Sequence, residues 1–189
     1  MPSYHRNALL QELHSYSQRW PEEHHTAELF AHFVAHEEGC FHRSTPEGHI
    51  TGSAFIVDPT GTQTLLTHHR KLNKWLQLGG HADGDPVPAR VALTEAREES
   101  GIVEINHLMT SFFDIDIHVI PARRNEQEHL HYDLRYVLRS ATTTFHVSHE
   151  SHALLWVPIN ELSTYTTEPS MLRMAHKWQT LSSAFLSQL

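Results

Sequence analysis

Apolar positions along the chain follow two periods in turn. Leu9, Leu10 and Leu13 recur at helical spacing until Pro21 breaks the run. Leu29, Phe30, Phe33 and Val34 repeat the spacing in a second helix, for which Gly39 is a stop. A helical pair is therefore predicted over residues 4–38. The pattern then shortens. Ser44-Thr45-Pro46-Glu47-Gly48 reads as a turn, Thr51 to Val57 as a strand, Asp58-Pro59-Thr60-Gly61 as a second turn, and Gln63 to His68 as the returning strand. Trp75-Leu76-Gln77-Leu78 reads as one short strand running into Gly79-Gly80. A loop from His81 to Pro88 precedes a helix over Ala89 to Ser100, ended by Gly101. Strands are predicted over Val103 to Ile120 (with an interruption), His131 to Arg139 and Leu154 to Val157, then a short helix after Pro158 and a last helix from Pro169 to Leu186. Elements in this order predict the α/β class, a mixed sheet between helices. Residues 1–43 form an N-terminal helical extension and 44–189 the main domain with its C-terminal helix.

Composition narrows the functions open to such a fold. A chain of 189 residues suits one domain, and 39% hydrophobic residues are enough for a packed core. Lys and Arg number 14 against 22 Asp and Glu, a formal charge of −8. That balance argues against general DNA or RNA binding, which needs clustered cations. An acidic protein still binds phosphates when a metal ion stands between the two sets of negative charge. The single cysteine, Cys40, excludes an internal disulfide. No apolar run is long enough to span a membrane and no signal-peptide pattern opens the chain, so a cytoplasmic protein is expected. The 19 histidines are scattered, and no His-x-x-x-His pair encloses the Glu of a zinc hydrolase.

The segment with the strongest chemical signal is Gly79-Gly80-His81-Ala82-Asp83-Gly84-Asp85-Pro86, followed by Thr94-Glu95-Ala96-Arg97-Glu98-Glu99-Ser100-Gly101-Ile102. Glu95, Glu98 and Glu99 stand at i, i+3 and i+4 of the predicted helix and share a face. Carboxylates so close repel one another unless a cation sits among them, and a hard divalent ion with oxygen ligands suits them. An acidic helix face is also an ordinary solvated surface. The glycine pair decides between these, because glycines at a strand end let a backbone approach closely enough to bring loop and helix together.

Strand, glycine loop and acidic helix together resemble the Nudix box, G-x5-E-x7-R-E-U-x-E-E-x-G-U with U aliphatic. Aligned on Gly80, the pattern meets Glu95, Ala96, Glu98, Glu99, Gly101 and Ile102. It departs from the family at Pro86, where the first Glu belongs, and at Thr94, where the Arg belongs. Asp85 is adjacent to the first gap, and Arg90 and Arg97 flank the second. The resemblance extends over about residues 48–165. It implies a Nudix-like α/β/α sandwich, Mg2+ or Mn2+ held by Gly80, Glu95, Glu98 and Glu99, and hydrolysis of the diphosphate linkage of a nucleoside diphosphate derivative. The same resemblance makes Glu98, Glu99 and Glu150 the candidate catalytic acids, Glu150 lying in a loop that often supplies a metal ligand or general base.

Arg70, Lys71 and Lys74 flank the glycine loop as candidates for phosphate contact. His129, His131 and Asp133 alternate on one strand face, where His131, joined by His81 and His118, is a candidate to line the substrate pocket. The expected partner is a small nucleotide-like molecule, with a homodimer allowed and neither nucleic acid nor membrane expected. Two other readings follow from the resemblance. Pro86 and Thr94 suit a non-catalytic nucleotide or metabolite sensor. A prenyl-diphosphate isomerase would need a reactive pocket cysteine, and Cys40 precedes the first strand of the domain.

Overall fold

The computed structural model describes residues 2–122, 127–149 and 151–186. Helices α1 (Pro2–Arg19) and α2 (His24–His36) come first, joined by a 3-10 turn at Pro21–Glu23. The carbonyls ending α2 have no helical partners of their own. The Arg6 guanidinium supplies them, donating to Val34 O at 2.7 Å and Glu37 O at 2.9 Å. The pair then closes one side of the sheet that follows. Phe33 stacks on Tyr132 with ring centroids 3.8 Å apart, and Phe30 meets the same ring edge-on at 5.3 Å.

The sheet contains β1 (Gly48–Val57), β2 (Gln63–His69), β3 (Lys74–Leu76), β4 (Leu78–His81), β5 (Ile105–His107), β6 (Asp114–Ile120), β7 (His129–Ser140) and β8 (Ser151–Pro158). Its order is β3-β2-β1-β7-β5, with β4 also beside β1, β6 beside β7 and β8 beside β2. β1 and β7 run parallel, with His49 opposite His131, while the other pairs are antiparallel. One sheet face packs Ile50, Ala54 and Ile56 of β1 and Leu134 of β7 against Val91, Ala92 and Ala96 of α3 (Pro88–Ser100). The other packs Phe55, Val57 and Val137 against Met171, Met174 and Ala175 of α4 (Pro169–Leu186). This is the expected mixed sheet between helices. Among the described residues, no helix is long and apolar enough to cross a membrane.

Two predicted strands divide. The run from Trp75 to Leu78 breaks at Gln77, because the chain changes partner there: Leu76 pairs with Thr67 of β2, Leu78 with Ala54 of β1. The run from Val103 to Ile120 becomes β5 and β6, both against β7. Between them Phe112 turns fully into the core, 5.2 Å from the Tyr16 ring, and its N–H donates to Glu12 Oε1 at 2.8 Å.

The β1–β2 turn hangs on one carboxylate. Asp58, 4% exposed, accepts from the Thr62 and Gln63 N–H groups at 2.8 Å each, and from the Thr60 hydroxyl at 2.5 Å. Burial alone would raise its pKa, but these hydrogen bonds outweigh burial and bring it below the ordinary value. A lowered folded-state pKa contributes stability that is present above the unfolded value of about 3.9 and is lost as pH falls through the folded one. Asp58→Asn is therefore expected to destabilise the protein at pH 7 by about 1–3 kcal/mol. The gap between variant and wild type in urea melts should narrow below pH ~4. A gap independent of pH would show that the ionised carboxylate is not what holds the turn.

Candidate functional site

Helix α3 packs on the sheet face beside β4. Pro88 occupies the first turn, where its missing N–H costs nothing, and Asp85 Oδ1 accepts the Val87 N–H at 2.9 Å just before it. Gly101 (φ 66°) ends the helix in the left-handed region open to glycine. Within these limits Glu95 and Glu99 turn toward β4. Glu99, 6% exposed, accepts the Gly79 N–H at 2.8 Å. The Glu95 carboxylate fills the space beside Gly80 that a Cβ there would occupy. Loop glycines and helix acids, 15 or more positions apart in sequence, thus touch. Glu98 lies on the exposed side of the helix.

Pro86 and Thr94, the two departures from the box, do not leave the region without an acid–arginine pair. The Arg90 guanidinium grips Asp85 with two bonds, at 2.7 and 2.5 Å, bridging the loop and the first turn of α3. Arg97 works at the other end, donating to Ile105 O at 3.1 Å and tying α3 to β5. The loop is pinned from outside as well: Gly84 N–H donates to Phe41 O at 2.7 Å, and Arg43 forms a two-bond ion pair with Asp83.

Two of the predicted phosphate cations, Arg70 and Lys74, have partners within the fold. Arg70 donates to His149 O at 3.1 Å and Ser151 O at 2.9 Å, and Lys74 lies 2.5 Å from Glu168. Glu150 lies outside the described residues.

A polar tract continues from β4 across the sheet face away from α3. Asp133, 1% exposed, accepts from Thr51 and Ser53 hydroxyls at 2.8 Å each, from Arg135 Nε at 2.7 Å and from Gln77 Nε2 at 3.2 Å. Burial would raise its pKa, but Arg135 above all, with His118 and these donors, holds it below the usual carboxylate range. Next to it, five histidines from four strands meet. His49 stands 4.8 Å from His131, 5.0 Å from His129 and 5.0 Å from His81, ring centre to ring centre, and His118 stands 5.4 Å from His131. Burial, then the neighbouring rings, pushes His49 down to about 4 and His131 to about 2, so both are neutral near pH 7.

The sequence had indicated His81, His118, His129, His131 and Asp133. It missed His49, Thr51, Ser53, Gln77 and Arg135, which reach the tract through strand pairing. The only local trace was alternation: His49, Thr51 and Ser53 stand at every second position before and within the first predicted strand.

No protein-family model and no curated protein matches the chain. Solved structures do. A Nudix-family hydrolase from Clostridium perfringens superposes with a TM-score of 0.56 at 23% identity, covering 70% of this chain and 97% of that one. An Ap4A hydrolase of C. elegans, as a binary complex, gives 0.57 at 16% identity, with 74% and 98% covered. The NUDIX domain of NrtR from Shewanella oneidensis, complexed with ADP ribose, gives 0.54 at 12% identity, with 79% and 96% covered.

Proposed function

We propose that this chain, which has the Nudix fold, is a metal-dependent hydrolase that cleaves the diphosphate linkage of a nucleoside diphosphate derivative: a nucleotide sugar, a dinucleotide or a nucleoside triphosphate. The observation that carries the reading is the meeting of Glu95 with Gly80 and of Glu99 with the Gly79 N–H, which joins the two halves of the box. The oxygen donors there suit a hard cation: the carboxylates of Glu95, Glu98 and Glu99 and the Gly80 backbone. Mg2+ or Mn2+ bound there supplies charge neutralisation and polarisation of the diphosphate.

The chain's own groups do the positioning. Glu99 is fixed by the bond it accepts from the Gly79 N–H, which holds its carboxylate beside the glycine loop. Glu98, on the exposed side, is the acid able to take a proton from an attacking water, a role shared in this proposal with Glu99 and Glu150. His81, next in chain to Gly80, and His131 are proposed to meet the substrate. Arg70 and Lys74 would have to exchange their present partners for a phosphate. The acceptance of ligands such as Ap4A and ADP ribose by proteins of this fold supports the substrate class.

Turnover of a panel of nucleotide sugars, dinucleoside polyphosphates and nucleoside triphosphates is the test. Product release is expected with Mg2+ or Mn2+ and is expected to vanish with EDTA. Full-rate cleavage in EDTA would sink the metal mechanism. Pro86 and Thr94 favour a second reading, a ligand sensor without turnover. Calorimetric binding of a panel member that is never cleaved would establish that reading instead.

A further inference from the structure

The histidine cluster lies on the sheet face away from α3 and outside the carboxylate set. Ligand nitrogens of His49, His129 and His131 all lie within 4.8 Å of one another. His49 is 1% exposed, yet among the described residues neither of its ring nitrogens has a hydrogen-bond partner, and His131 Nε2 is buried in the same state. Folds rarely keep a buried polar atom without a partner, because its lost hydration costs about 1–3 kcal/mol. His129 is oriented from behind: its Nδ1 lies 2.8 Å from Gln127 O, which can only accept, so Nδ1 carries the proton and Nε2 the lone pair. A backbone carbonyl behind a ring nitrogen is the arrangement that orients metal-binding imidazoles.

We propose that His49, His129 and His131 form a binding site for a first-row transition-metal ion, zinc foremost, distinct from the carboxylate set on α3. Three neutral nitrogens bring no negative charge and no hard oxygen, so Mg2+ and Ca2+ are poor occupants. Zinc binds imidazole at about 2.0–2.1 Å and takes three protein ligands readily, with a fourth position left over. Small ring movements bring nitrogens already within 4.8 Å to that geometry. His81 borders the three, its ring 5.0 Å from His49 and 5.1 Å from His131. A cavity of about 210 Å3 lined by Arg43, Ser44, Thr45, Pro46, Gln127 and His129 reaches the cluster at His129. The low pKa values of His49 and His131 agree with this, since a ligand must be deprotonated. The inference does not depend on the hydrolase reading.

Co2+ is the probe, because its visible absorption reports coordination. The metal-stripped full-length chain, in a large molar excess of Mg2+, is expected to bind one Co2+ with the intense bands of a four-coordinate site. His49→Gln and His131→Gln should each weaken that binding by on the order of 100-fold. His36→Ala should not change it; this variant removes the exposed His32–His36 pair on α2, whose rings lie 4.2 Å apart and which is the adventitious alternative. Glu98→Gln should also leave the bands intact, which separates this site from the proposed hydrolytic one. Weak octahedral bands from the wild type, or none, overturn the proposal even where a cluster variant fails to fold. Loss of the bands in His36→Ala or Glu98→Gln overturns it equally.

Discussion

Glu98→Gln and Glu99→Gln are each expected to lower turnover by on the order of 100-fold or more, a barrier rise of about 2.7 kcal/mol. Each removes one negative charge where the proposed cation is held, while keeping the size of the side chain. The two should differ in their effect on stability. Glu98 is exposed, and its replacement should leave the melting temperature unchanged. Glu99 accepts the Gly79 N–H from a buried position, and a glutamine oxygen keeps that bond in a weaker, uncharged form. A small loss of stability is therefore expected there. Gly80→Ala tests the same contact from the strand side. Its methyl group would occupy the space now taken by the Glu95 carboxylate, so activity should fall although no acid has been removed. Steady-state rates over Mg2+ titrations, with melts of each variant, give the answer. Wild-type turnover in both glutamine variants would take the helix out of the mechanism.

Lys177→Met is expected to cost about 3–5 kcal/mol of folding free energy, the range seen when one partner of a buried ion pair is removed. Lys177 is 2% exposed on α4, and its ammonium lies 2.5 Å from Glu23 Oε1, 2.7 Å from Asp114 Oδ1 and 2.6 Å from the Tyr16 hydroxyl. It also sits over the Tyr16 and Trp20 rings, at 4.9 and 4.6 Å. One side chain thus joins the C-terminal helix, the N-terminal helices and β6. After its loss Asp114 still has Arg173, at 2.8 and 2.7 Å, and Arg135. Glu23, 7% exposed, loses its closest cation and keeps, among the described residues, the Tyr16 hydroxyl at 2.5 Å and Arg173 at 3.5 Å. Adding Glu23→Gln to Lys177→Met should therefore restore part of the loss, a coupling that a double-mutant cycle in urea resolves. A loss below 1 kcal/mol for the single variant would mean that the network contributes little and that α4 is held by its apolar face alone.

The sequence by itself determined whatever depends on short spacing. The i, i+3, i+4 placement of Glu95, Glu98 and Glu99 puts them on one helical turn whatever surrounds it. Pro88 and Gly101 delimit α3 through backbone preferences that are local. The order of helical and alternating runs sufficed for the layered α/β class. The division of Trp75–Leu78 between two strands was not legible, because apolar periodicity records which residues are buried and not which neighbour they pair with. The sequence offered Asp85 and Arg90 separately, as neighbours of the two gaps; that they bind each other was decided by the turn into α3. Tertiary structure alone brought His49 into the histidine cluster and decided the buried charge network. His49 meets His131 because β1 and β7 run parallel in one register, and Lys177 meets Tyr16 across 161 positions of chain. Such contacts form when the helices and sheet bury their apolar faces together. The polar groups carried along must then find one another, since within the core there is no water to take their place.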